Sequence, residues 1–282
     1  MRTFDYMKLA DRMWDSEILT YVAKIHEYKG RQELYVRQKP VELERLVKIA
    51  RIQSTESSNK IEGIVTTSTR IRQLMDDKTM PKNRDESEIV GYRNVLNTIH
   101  ESHNYIPVKP AYILLLHRDL LKHAGLSYGG QLKNTQNSIN ETKPNGTVVT
   151  RFIPLAPYET EPAIEAICES YRQTLAMEVI DPLILIPTFI CDFLCIHPFN
   201  DGNGRMSRLL TLLLLYQNGY DVVKAYVTGK IGKFTGAEVI ADCPSGSRSA
   251  VLGALKRLTD EEVIVKCGTG RRTFYVRKDA ME

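Results

Sequence analysis

Residues 197–208 read His-Pro-Phe-Asn-Asp-Gly-Asn-Gly-Arg-Met-Ser-Arg, a short run that holds the parts of a phosphate site with a proton acceptor beside it. Gly202 and Gly204 open backbone conformations closed to residues with a Cβ, so successive N–H groups can converge on an anion. A helix starting near Gly204 adds its unpaired N–H groups and the positive end of its dipole. Asn203 can donate to the same oxygens. Arg205 and Arg208 stand three apart on a first helical turn, and guanidinium is the group best shaped for two-pronged phosphate contact. Asp201 offers a hard oxygen to Mg²⁺, which takes one or two carboxylates together with substrate phosphates. His197, just before the glycines, can accept a proton from a hydroxyl near neutral pH. Each feature alone is more often a turn, a solvated face or a structural histidine. Their coincidence between the apolar runs 183–194 and 209–215 points to a nucleoside triphosphate bound beside a reactive hydroxyl.

The elements that must position this turn are mostly helical. Apolar periodicity predicts helices over 13–26, 41–52, 87–100, 110–123, 161–177, 181–195 and 204–216, a mainly α fold in which the turn joins two helices. Leu43, Leu46, Val47 and Ala50 carry a helix toward Ser58-Asn-Lys-Ile-Glu-Gly63, where Gly63 suits a position just past a helix end. Residues 133–139 and 147–153 bracket a stretch rich in turn formers, which predicts a β-hairpin. After Asn218-Gly219 the composition changes. Residues 234–240 and 247–258 fit two short helices around Pro244-Ser-Gly246, and strands at 263–266 and 273–277 flank a basic tip, the pattern of a small winged helix-turn-helix. The expected organisation is an N-terminal helical region over 1–100, a core with the hairpin over 101–220, a short connector over 221–233 and the winged module over 234–282.

The chain has 282 residues and a net charge of +4, too slight to establish nucleic-acid binding. Arg248, Lys256 and Arg257 could face DNA phosphates from the second winged helix, and protein docking is the open alternative. No apolar run has the length of a membrane span and the first residues lack a secretory signal. Five cysteines, an odd number, read as reduced thiols. Together these lead us to expect a soluble cytoplasmic protein. His26, His100, His103, His117 and His123 have no ligand partners at metal spacing and read as packing or surface residues.

The turn resembles the signature of the Fic family, His-x-Phe-x-Asp/Glu-Gly-Asn-Gly-Arg-x-x-Arg. The resemblance holds at His197, Phe199, Asp201, Gly202, Asn203, Gly204, Arg205 and Arg208. It implies a Fic-type helical bundle with a small hairpin flap, and transfer of AMP from ATP to a Ser, Thr or Tyr hydroxyl of a protein target, the chain itself included. His197 would be the general base and Asp201 the Mg²⁺ ligand. ATP would lie on Gly202, Asn203, Gly204, Arg205, Met206, Ser207 and Arg208, with both arginines on the β- and γ-phosphates and Phe199 anchoring the loop. Gly204 stands where a related kinase branch carries Lys. Ser58, Glu62 and Gly63 resemble the family's inhibitory motif, in which a carboxylate at Glu62 would occupy Arg208 and exclude the γ-phosphate. Lys133, Gln136 and Asn137 resemble the start of the flap, which with Phe152 and Ile153 would dock the target by strand addition. Family habit implies a homodimer.

Relatives with a winged module carry a longer helical stretch whose side chains face the adenine. Here only residues 221–233 fill that interval, with Tyr220 and Tyr226 nearest to a base. Removal of AMP, a different donor such as UTP or CDP-choline, and a nucleotide-sensing transcription regulator therefore stay open beside adenylyl transfer.

Overall fold

The structure, a computed structural model, describes residues 4–38, 40–75, 79–143, 145–220, 259, 264–267 and 274–277. The chain divides into two units, Met1–Val222 and Val223–Glu282. The first holds α1 Ser16–Gln38, α2 Pro40–Ile61, α3 Ser68–Leu74, α4 Arg84–Ser102, α5 Pro110–Leu121, α6 Pro157–Ala176, α7 Pro182–Ile196 and α8 Asn203–Gln217. The antiparallel pair β1 Ile139–Thr142 and β2 Val148–Phe152 lies between α5 and α6. Proline opens α5, α6 and α7, where its missing N–H costs nothing. Asn83 caps α4 by accepting the Glu86 N–H at 2.9 Å, and Asp181 caps α7 by accepting that of Leu183 at 2.8 Å.

α8 buries Met206, Leu209, Leu210, Leu213 and Leu214, a three-and-four spacing that forms one apolar stripe. These side chains share a core with Phe189 and Phe193 of α7, Tyr92 and Ile99 of α4, and Leu116 and Leu120 of α5. Burying each such aliphatic side chain stabilises the fold by about 1.5–3 kcal/mol. A smaller cluster joins Ile71 and Leu74 of α3 to Ile89 and Val90 of α4. α2 packs on both α4 and α8, so the end of one helix comes beside the start of the other.

α2 continues past residue 52 through a polar stretch because Thr55, Ser58 and Asn59 are buried, with Asn59 Nδ2 donating to the Thr55 carbonyl at 2.8 Å. α3 has seven residues, too few for periodicity to detect, and was not expected. The hairpin also differs from expectation. Its first strand is Ile139–Thr142 rather than 133–139. Asn140, Glu141 and Thr142, expected as loop, pair with Thr150, Val149 and Val148. Cross-strand side chains account for the shift: Thr150 Oγ1 donates to Asn140 Oδ1 at 3.0 Å, and Arg151 pairs with Glu141.

In the second unit β3 Ile264–Cys267 pairs antiparallel with β4 Phe274–Arg277. The expected connector, the two helices, the basic tip at 268–272, and Arg248, Lys256 and Arg257 lie outside the described residues. Among the described residues no helix is long and apolar enough to cross a membrane.

Candidate active site

α7 stops because His197 turns left-handed (φ 52°, ψ 63°), while its N–H still reaches the Phe193 carbonyl at 2.9 Å. Pro198 then cannot extend the helix. Phe199 drops fully into the core and stacks on His117, with ring centroids 3.7 Å apart. Three residues on, Gly202 (φ 81°) opens α8 from a left-handed conformation that a Cβ would strain. The bend between the helices is closed by Asn203, whose Oδ1 accepts the Phe199 N–H at 3.0 Å and whose Nδ2 donates to the Phe199 carbonyl at 2.7 Å.

Those bonds alter the part expected of Asn203. The residue is 3% exposed, and its amide is engaged in shaping the bend rather than turned toward an incoming anion. Met206 lies wholly in the core with its N–H bonded to the Gly202 carbonyl at 2.8 Å, and the Ser207 hydroxyl donates to the Gly204 carbonyl at 2.8 Å, so neither side chain is turned toward a ligand. The first N–H groups of α8 have no partners within the helix and surround the bend.

The two arginines part company. Arg205 was expected to grip phosphate, but its side chain is 2% exposed and Nη1 donates to Glu88 Oε2 of α4 at 2.7 Å. Its Nη2 lies 3.5 Å from Asp201 Oδ2, so it steadies that carboxylate from behind. The difference has a simple cause: the buried Glu88 carboxylate of α4 stands beside Arg205, whereas Arg208, one turn on, meets the end of α2. Arg208 faces outward. Its Nε donates to Ser58 Oγ at 2.7 Å, and its Nη2 to the Ser58 carbonyl at 3.0 Å and to Glu62 Oε1 at 2.6 Å. Glu62 follows the last turn of α2, and Gly63 (φ 76°) turns the chain away. A Cβ on Gly204 would overlap the Glu62 carboxylate, so the absence of a side chain there lets the acid lie against the bend.

Asp201 keeps its side chain 43% exposed, with Oδ1 accepting the Gly202 N–H at 2.6 Å. Its carbonyl accepts from His117 Nε2 at 3.0 Å, while His117 Nδ1 accepts the Gly130 N–H at 3.1 Å, an arrangement that sets the neutral tautomer. Burial pushes the His117 imidazole down to about 4. His197 is also held below its ordinary value, first by burial and then by the Lys133 ammonium, with the Leu194 carbonyl and Glu62 pulling the other way.

The segment before the hairpin is a strap along the bend. Lys133 donates its N–H to the Pro198 carbonyl at 2.8 Å and its Nζ to the Ile196 carbonyl at 2.9 Å. Asn137 Nδ2 reaches the Phe199 carbonyl at 2.9 Å, and Gln136 Nε2 the Pro154 carbonyl at 3.0 Å. Lys133 is buried, and so is placed under the bend rather than on the target-facing surface expected for it. Phe152 and Ile153 remain exposed. Phe152 and Ile139 roof an apolar cavity of about 620 Å³ floored by Ile190 and Leu194 of α7 and Thr211 and Leu215 of α8. The sequence reading missed Glu88 and took His117 for a packing or surface residue. Neither belongs to a motif; only the charge of Glu88 on a face that buries Ile89 and Tyr92 is a signal.

Residues 107–215 match the family model described as Fic/DOC family. A protein adenylyltransferase Fic from Nematostella vectensis is 26% identical over 188 residues, which cover 64% of this chain and 41% of the relative. The chain thus spans under half the length of that curated relative. Among solved structures, a Fic family protein from Desulfovibrio desulfuricans G20 superposes with a TM-score of 0.59 at 15% identity, covering 95% of this chain and 97% of that one. A Fic domain containing signaling protein from Bacteroides thetaiotaomicron VPI-5482 superposes with a TM-score of 0.60 at 20% identity, covering 85% and 92%. At these identities the structural likeness is one of fold.

Proposed function

We propose, for a chain whose residues 107–215 form a Fic/DOC family domain, that it is a self-inhibited protein adenylyltransferase. The observation that carries this reading is the engagement of Arg208 by Ser58 and Glu62 at 2.6–3.0 Å, at the mouth of a bend built to receive phosphate. The relatives named protein adenylyltransferase support ATP as donor and a protein as acceptor.

ATP lies with its phosphates on the unpaired N–H groups of Asn203, Gly204 and Arg205 at the start of α8, and Arg208 takes the γ-phosphate once Glu62 withdraws. A Ser, Thr or Tyr hydroxyl of the target, held by the hairpin through Phe152 and Ile153, gives its proton to His197. Its oxygen bonds to the α-phosphorus in line as the bond to the pyrophosphate oxygen breaks. The depressed pKa of His197 keeps the imidazole neutral and ready near pH 7. Asp201 fits Mg²⁺: a half-exposed hard oxygen donor beside the phosphate cradle is what that ion needs alongside substrate phosphates. The ion would supply charge neutralisation at the phosphates.

The lock is releasable on physical grounds. Arg208 and Glu62 are each about one-third exposed, so solvent screens their attraction. We extend the reading to a homodimer, with the second unit as a winged docking module.

The full chain is tested with ATP labelled at the α-phosphate. Glu62→Gly raises self-labelling at least tenfold over the unaltered chain, and Glu62→Gly with His197→Ala abolishes it while nucleotide binding persists. Equal labelling with and without Glu62 removes the lock; labelling without His197 removes the base.

A further inference from the structure

We propose that Lys133 is the positioning residue of the general base: it fixes the backbone on both sides of His197 and sets the charge that His197 feels. The inference rests on the reading of His197 as base, and it gives Lys133 a task inside the site in place of target docking.

The geometry is two-sided. The Lys133 backbone N–H bonds the carbonyl of residue 198 at 2.8 Å and its Nζ bonds that of residue 196 at 2.9 Å. One residue therefore holds both carbonyls that flank the imidazole-bearing position. That position needs holding, because His197 is left-handed at φ 52°, a conformation strained for a residue with a Cβ. Asn203 and Asn137 secure the Phe199 end of the same bend, and neither bonds residue 196 or 198.

The charge matters as much as the bonds. Lys133 is 3% exposed, and its ammonium is directed at a carbonyl dipole rather than a carboxylate. Burial accordingly pushes it down to about 8. Near pH 7 it is still mostly protonated, so a cation sits under the imidazole and disfavours imidazolium. The charged groups that act on His197 are Lys133 and, in the opposite direction, Glu62 from the end of α2. Withdrawal of Glu62 leaves Lys133 as the dominant one. The same movement that frees Arg208 for phosphate therefore makes His197 harder to protonate and keeps it a competent acceptor.

The test reads the histidine itself. In the full chain with ¹³C-labelled histidine, the His197 resonance is followed against pH without nucleotide. It should show its own midpoint below the ordinary imidazole value and a second inflection near pH 8, where Lys133 loses its proton. Lys133→Gln, which keeps a donor without the charge, should raise the His197 midpoint by about half a pH unit or more, and Lys133→Arg should leave it in place. In the Glu62→Gly background, Lys133→Gln should move the acid limb of the pH–rate profile upward by the same amount, with kcat lowered and KM for ATP unchanged. No second inflection in the unaltered chain, or an unmoved midpoint in folded Lys133→Gln, overturns the proposal. A coupled titration in a protein that transfers no AMP would instead retain Lys133 as the partner of His197 and reject the proposed reaction.

Discussion

His117 stays neutral because both its ring nitrogens are spent inside the protein, one accepting from Gly130 and the other donating to the Asp201 carbonyl. Its folded value of about 4 lies below the 6.5 of a free imidazole, so between those values the unfolded chain takes up a proton that the folded chain refuses. Stability is therefore complete above about 6.5 and falls as pH drops through that window. From pH 7 to pH 5 His117 alone should remove about 2 kcal/mol. Urea unfolding at the two pH values checks this: His117→Gln should be less stable at pH 7 yet lose less on acidification, and an equal loss in both proteins would dismiss the linkage. Glu88 follows the same logic of burial. It pairs with Arg205 where neither side chain is more than 5% exposed, so removing the carboxylate would strand a cation rather than free a phosphate grip. Neither residue is legible in the sequence as part of a site, because each acts through a contact made across more than eighty positions of chain.

The helices and the hairpin divide the work between rigidity and access. α8 has its apolar stripe in the common core and its first turn tied to Phe199, whereas β1 and β2 are exposed along almost their whole length. An exposed two-stranded pair is marginal by itself and depends on its cross-strand contacts and on the strap before it. Hydrogen exchange should register the contrast: amides of 139–142 and 148–152 exchange orders of magnitude faster than those of 206–214. Comparable protection would mean that the hairpin is clamped in place and cannot open for a target. The strap also explains why its strand register was misread. Lys133, Gln136 and Asn137 look like the polar edge of a strand, but their hydrogen bonds go to the bend and to Pro154 instead.

At the scale of the molecule, the Glu62–Arg208 contact ties the end of α2 to α8 across 146 positions of chain, and the proposed lock rests on it. Any ligand that binds only the open form must first displace the Glu62 carboxylate, so its stabilising effect reports the cost of opening. ATP with Mg²⁺ should therefore raise the melting temperature of Glu62→Gly by several degrees more than that of the unaltered chain, read by differential scanning calorimetry. Equal shifts would mean that the acid does not compete with the nucleotide.

The bend of residues 197–208 was readable from the chain because its parts are consecutive: a left-handed glycine, a helix start that bares its N–H groups, and a carboxylate and an imidazole within a few residues of each other. Short-range geometry is enough to bring such groups together. Which of the two arginines would be buried was not readable, and neither was the use of Asn203 as a brace or of Lys133 as a tie to the carbonyls of residues 196 and 198. Those outcomes depend on what is buried and what is paired. Glu88 on α4, Ser58 on α2 and the strap before β1 arrive from far along the chain, and only packing of the helices decides which side chain meets them.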